Sequence, residues 1–261
     1  MGFGLKGKNV LVLASSKGLG KATAAAYAKE GANVMITSRN VSTLKKTAEE
    51  LSTFAEGSIA WIPCDVSRAD DVKKLVEETA QRFGGIDVLV NNAGGPPPGK
   101  FEQLSEKDWN FAYEQNLLSV VRTVQHALPY LKVSKGKIIT ITSMSMKEPV
   151  DGLLLSNVFR MGITGLTKTL SKEFAEYGIL VNTVGPGRID TERVQSLDSN
   201  LAESTGLVLE EVKKQMSEKI PLGRYGTPDE FANATLFLGS ALNTYITGQM
   251  LIVDGGLTKA Y

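Results

Sequence analysis

Seven short apolar runs, most of them rich in β-branched residues, recur along this chain with helix-length patterns between most of them. That alternation restricts the fold more than any other feature, because strands feeding helices settle into layered parallel sheets. The runs at 10–14, 33–37, 59–63, 88–90, 137–142, 180–184 and 250–253 are mostly apolar at odd and even positions alike. Strands covered on both faces need that pattern. Stretches 20–30, 41–55, 70–83, 105–130, 156–177 and 227–238 read as helices. Ser105-Glu106-Lys107-Asp108 and Thr227-Pro228-Asp229-Glu230 are capping starts, the second with proline at the first helical position. Gly31 and Gly178 fit helix ends. The expectation is an α/β fold, a doubly wound parallel sheet of seven strands in one domain over 1–261. Residues 187–220 break the rhythm for longest and read as a small helical lid.

Charge and composition exclude several classes. Lys plus Arg number 29 against 28 for Asp plus Glu, so nothing favours nucleic acid or an acidic membrane as partner. Cys64 is the only cysteine and His126 the only histidine. Neither an intrachain disulfide nor a histidine-cluster metal site is expected, and no metal is assigned. No run reaches the ~18 apolar residues of a membrane span. The first residues carry no secretory pattern, which makes the expected location cytoplasmic.

The first strand runs into Ala14-Ser15-Ser16-Lys17-Gly18-Leu19-Gly20 and an alanine-rich helix. A glycine turn there lets backbone amides approach a pyrophosphate at a helix N-terminus. Ala14 occupies the place where the pattern has its first glycine. If that residue needs positive φ, alanine costs about 1–2 kcal/mol. The end of the second strand reads Thr37-Ser38-Arg39-Asn40, with no acid for a ribose 2′-hydroxyl. Arg39 and Lys17, with Ser38, suit a 2′-phosphate instead. NADP is therefore favoured over NAD.

Further landmarks follow in order: Asp65, Asn91-Asn92-Ala93-Gly94, Asn116, Ser143, Pro186-Gly187 and Asp254-Gly255-Gly256. With the glycine loop they resemble the classical short-chain dehydrogenase/reductase family, in its 3-oxoacyl-carrier-protein-reductase-like branch, from Lys8 to Gly256. The resemblance implies a Rossmann-type fold and a small carbonyl or alcohol substrate. It implies that Ser15 to Gly20 cradle the cofactor and that Asp65 and Val66 meet the adenine. Asn92, Ala93 and Gly94 would close the adenosine side. Pro186, Gly187, Ile189 and Thr191 would line the nicotinamide, with Thr191 on its carboxamide. Family members commonly form tetramers through the two long helices, so a dimer or tetramer is expected.

In that family a tyrosine delivers the proton, and a lysine one helical turn on lowers its pKa and holds the nicotinamide ribose. A serine positions the carbonyl and an asparagine holds a relay water. Ser143 and Asn116 match the last two. Thirteen residues beyond Ser143, however, stand Ser156 and then Arg160, where Tyr-x-x-x-Lys is expected. Gly165-Leu166-Thr167-Lys168 and Val181-Asn182 hold the register downstream. A serine hydroxyl is far less acidic than a phenol of pKa ~10, and arginine stays protonated. Lys147, Glu148 and Asp151 are the nearby candidates for a replacement acid.

Two expectations follow. One is an atypical NADP-linked oxidoreductase acting on a carbonyl or secondary alcohol. The other is a catalytically impaired homologue that keeps the nucleotide pocket as a sensor or assembly subunit.

Overall fold

The computed structural model describes residues 2–260. Strands β1 (Asn9–Val12), β2 (Asn33–Ser38), β3 (Ile59–Pro63), β4 (Val88–Asn91), β5 (Lys137–Ile141), β6 (Leu180–Pro186) and β7 (Met250–Val253) form one sheet. Its order is β3-β2-β1-β4-β5-β6-β7, and every pairing is parallel. Alternate side chains of β1 serve opposite layers, which is why the run is apolar at both parities. Val10 and Val12 pack under α1 (Gly18–Lys29), α2 (Val41–Ser52) and α9 (Pro228–Gly239). Leu11 and Leu13 pack under α3 (Ala69–Phe83), α5 (Ser119–Ser134) and α6 (Leu154–Glu173).

The expected helix over 105–130 is built differently. After α4 (Glu106–Tyr113), residues Glu114–Leu118 wind as one π turn before α5 begins. The helix also continues through Pro129 to Ser134, beyond the predicted end. Proline removes one amide there, and the helix carries on because Ala127 and Leu131 remain buried against the sheet. The first strand stops at Val12, short of the predicted Ala14, whose φ of 45° is incompatible with a strand. Segment 187–220 contains two helices, α7 (Glu192–Thr205) and α8 (Leu209–Glu218). Arg188 and Tyr225 both bond the fully buried Asp198 of α7, which ties α7 to the body.

The strand order reverses between β1 and β4, on either side of which the chain leaves in opposite directions. Ligands of open parallel sheets sit outside the carboxyl ends at such a switch point.

Candidate active site

At that switch point lies a cavity of about 1100 Å³, lined from the glycine turn, the ends of β2 to β6 and both helices of 187–220. Its nucleotide end begins with Ala14. The main chain turns at φ 45° there and at φ 52° at Gly18. Gly20 allows the closest approach: a Cβ on it would lie 2.5 Å from the Ala14 carbonyl oxygen and 2.7 Å from Asn92 Nδ2. Asn92 Nδ2 itself donates to Ala14 O at 3.1 Å, which fastens the turn to the end of β4. Ser15 is buried and donates to Val12 O at 2.7 Å, so it braces the turn from within. Lys17, at the N-cap of α1, supplies no side-chain cap, so the first amides of the helix stay open to an anion.

Ser16, Gly18, Leu19, Ser38, Arg39, Asp65, Val66, Ala93 and Gly94 line the same end of the cavity. The Asp65 carboxylate accepts from the backbone and hydroxyl of Ser67 at 3.0 and 2.7 Å. Cys64 beside it is buried; loss of water and the neighbouring Asp71 and Asp65 push its thiol up to about 12. It is therefore inert. Lys17 does not lie alone: its ammonium meets Glu192 at 2.8 Å, at the first turn of α7. Pro186, Gly187, Ile189 and Thr191 line the wall beyond. Thr191 caps α7 through Val194 N at 3.4 Å and lies beside the glycine turn, where a Cβ on Gly18 would be 3.7 Å from its Cγ2. These features suit a dinucleotide: open amides, a close-approach glycine and cations at one end.

The chemical end is assembled by β5 and α6. Ser143 leaves β5 extended and accepts from Ser145 N at 3.2 Å. Ser156, on the first turns of α6, is 8% exposed; its Oγ lies 3.4 Å from Ser145 Oγ. One turn later Arg160 is 5% exposed, its Nη1 donating to Ile141 O at 3.2 Å while its Nε finds no partner. Ser143, Ser156 and Arg160 all line the cavity. Burial, with Arg193 nearby, pushes the Arg160 guanidinium down to about 10, which leaves it cationic at neutral pH.

Asn116 stands one layer back in the π turn. Its Nδ2 and Gln115 Nε2 both donate to Gly94 O, at 2.8 and 2.7 Å, and its Oδ1 is buried without a partner. No tyrosine among the described residues lines the cavity. Tyr113 lies outside, 41% exposed and tilted against Phe159. Of the candidate replacement acids only Glu148 lines the cavity, and its carboxylate already accepts from Lys259 N at 2.8 Å.

Sequence reading passed over three residues here. Ser145 carries no spacing signal and is found only because it faces Ser156. Gln115 precedes Asn116 and was readable as a partner only once the π turn puts both on Gly94 O. Arg193, two residues beyond Thr191, reaches across the cavity to Pro96 O at 3.0 Å. No cluster of three or more metal-binding side chains occurs among the described residues.

A family model described as enoyl-(acyl carrier protein) reductase matches residues 13–258. The 3-oxoacyl-[acyl-carrier-protein] reductase of Thermotoga maritima is 35% identical over 257 residues, 97% of this chain and 98% of that protein. The enzyme of the same description from Chlamydia muridarum is 35% identical over 254 residues, again 97% and 98%. L-Sorbose reductase from Gluconobacter frateurii, solved with NADPH and L-sorbose, superimposes with a TM-score of 0.95 over the whole of both chains at 30% identity. An actinorhodin polyketide ketoreductase variant solved with NADPH gives 0.92 over 97% of each chain at 31% identity. With its seven-stranded parallel sheet and its glycine turn at the switch point, the chain belongs to the classical short-chain dehydrogenase/reductase family, in the 3-oxoacyl-acyl-carrier-protein-reductase-like branch of these oxidoreductases.

Proposed function

We propose that this protein is an NADPH-dependent oxidoreductase that interconverts a carbonyl and a secondary alcohol without the family's tyrosine and lysine. The observation that carries the reading is the placing of Ser143, Ser156 and Arg160 on the wall of the same cavity as the glycine turn. NADPH, as in the two neighbouring reductase structures, supplies the hydride when bound.

The chain's own residues do the rest. The open amides of α1 hold the pyrophosphate, and Arg39 with Ser38 meets the 2′-phosphate. Lys17 joins them by exchanging Glu192 for phosphate, a move that an exposed ion pair worth about 0–1 kcal/mol permits. Asp65 and Val66, on the same cavity wall, would hold the adenine, and Thr191 with Ile189 would hold the nicotinamide. Helices α7 and α8 close over the pocket as a lid. Arg160 offers its free donors to the nicotinamide ribose, replacing a lysine. The Ser143 hydroxyl donates to the carbonyl oxygen. Ser156, paired with Ser145, leaves the space of a phenol to water or to the substrate itself.

Loss of a positioned acid costs typically 10²–10⁴-fold, about 3–5 kcal/mol of barrier. Positioning alone can contribute about 7–11 kcal/mol, so turnover survives in this reading. The test is Ser156→Tyr with Arg160→Lys, assayed with NADPH and a simple ketone. Turnover should rise by about tenfold or more. Unchanged turnover in folded, NADPH-binding protein would favour the second reading, a nucleotide-binding subunit without chemistry, which the absence of tyrosine from the described lining supports. The exposed apolar Phe111, Tyr113, Val158 and Met161 on α4 and α6 support association between copies through those helices.

A further inference from the structure

The charges around the chemical end do not balance. None of the three carboxylates on the cavity wall reaches either arginine there: Asp65 accepts from Ser67, Glu192 pairs with Lys17, and Glu148 accepts from the main chain of Lys259. Among the described residues, Arg160 reaches only the Ile141 carbonyl and Arg193 only that of Pro96. Neither has an acid. Arg160 is nevertheless 5% exposed, with Nε unpartnered. A guanidinium so withdrawn from water wants a counter-charge, and carbonyl dipoles supply only part of one.

Arg193 is exposed as a residue, yet its guanidinium is laid down on the main chain opposite. A Cβ on Gly95 would come within 3.0 Å of its Nη2 and 3.1 Å of its Nε, so the glycine makes room for it. Partial loss of water there lowers the Arg193 pKa. Lys219 also lines the cavity with no carboxylate in an ion pair with it, whereas Lys259 has Glu148 against its main chain. The nucleotide accounts for these cations only in part, since a ribose can take donors from Arg160 but offers it no counter-charge. Its phosphates are met at the far end by α1, Lys17 and Arg39, and ribose hydroxyls are neutral. Val150 and Leu153, with Val194, Leu197 and Met216 of the lid, give the same cavity an apolar lining.

We infer that the substrate is an oxo compound carrying an oxyanion, a carboxylate or a phosphate, which Arg193 grips together with Arg160 while its apolar body lies along the lid. Planar guanidinium forks match both anions in pairs of charge-assisted hydrogen bonds. This rests on the reading of the cavity as a carbonyl site, and deepens it: Arg193 selects the substrate.

Calorimetric titration tests it, on protein saturated with NADP⁺ and on protein without it. The probes are acetoacetate, levulinate and 4-methyl-2-oxopentanoate, each against its methyl ester, and dihydroxyacetone phosphate against dihydroxyacetone. At least one anion should bind about tenfold or more tighter than its neutral partner, as a charge-assisted contact implies. Arg193→Gln should abolish that preference while NADP⁺ affinity stays within about twofold. If that variant fails to fold, Arg193→Met, which keeps the length of the side chain without its charge, should give the same loss. A preference for the phosphate alone, or for a carboxylate alone, identifies the anion. Equal binding of every pair, or a preference that outlives both variants, overturns the inference. Protein that ignores NADP⁺ but keeps the anion preference would instead remove the reductase reading and leave the subsite standing.

Discussion

Ala14 holds a φ of 45° at the entrance of the glycine turn, a conformation that its Cβ opposes. Its carbonyl is held there by Asn92, so the strain is imposed by the neighbouring strand end rather than chosen locally. Ala14→Gly should therefore stabilise the fold, by about 0.5–1 kcal/mol once the greater freedom of glycine in the unfolded chain is subtracted. Urea denaturation would read this as a higher midpoint at unchanged slope, and a lower midpoint would mean that Ala14 is not strained. The need for a glycine at this place was legible in the sequence, and so was the pair Ser156 and Arg160, since both follow from position along one helix. Ser145 was not legible, because its contact with Ser156 spans a 3₁₀ turn and a loop that no periodicity describes. Arg193 was hidden for a similar reason: its partner Pro96 is 97 residues away in sequence.

Elements show the same division. Strands β3 and β7, the two edges of the sheet, have their predicted bounds although Ala60 is their one buried residue, because Gly57-Ser58 before β3 and Asp254-Gly255 after β7 punctuate their apolar runs. The π turn at Glu114–Leu118 had no such signal, as one surplus residue in a helix changes neither composition nor polarity. Its effect is to turn Gln115 and Asn116 together onto Gly94, so the site asparagine owes its aim to an irregularity. The start of α9 was fully readable. Glu230 pairs with Arg224 and accepts from Thr227 N at 2.8 Å, and these contacts hold its carboxyl down to about 2. Its folded pKa lies below the unfolded value of roughly 4.3, so the stabilisation is present above that value. It is lost as pH falls towards 2. Glu230→Gln should flatten the loss of stability between those limits, measured as urea midpoints along a pH series. An unchanged slope would show that other carboxylates dominate.

For the molecule as a whole, fold class was the easiest inference and chemistry the hardest. The sheet is dictated by repetition along the chain, whereas the cavity draws its wall from residues as distant as Ala14 and Lys259. Cofactor binding should therefore be felt throughout. At a hundredfold excess over its dissociation constant NADPH adds about 2.7 kcal/mol to a one-site fold, which raises the melting temperature by several degrees. NADH at equal concentration should give a smaller rise, and identical shifts would count against a role for Arg39. Because every strand pairing is parallel, the carboxyl ends of all seven strands share one edge of the sheet. The helices that directly follow β1, β2 and β3 must begin at the rim where their strands end, so their partial positive poles gather around one opening. The formal net charge is +1, close to balance, yet this geometry makes the molecule electrically one-sided. An anionic ligand approaching in solution is drawn towards the rim before touching any side chain, and salt should slow its arrival more than it hastens its departure.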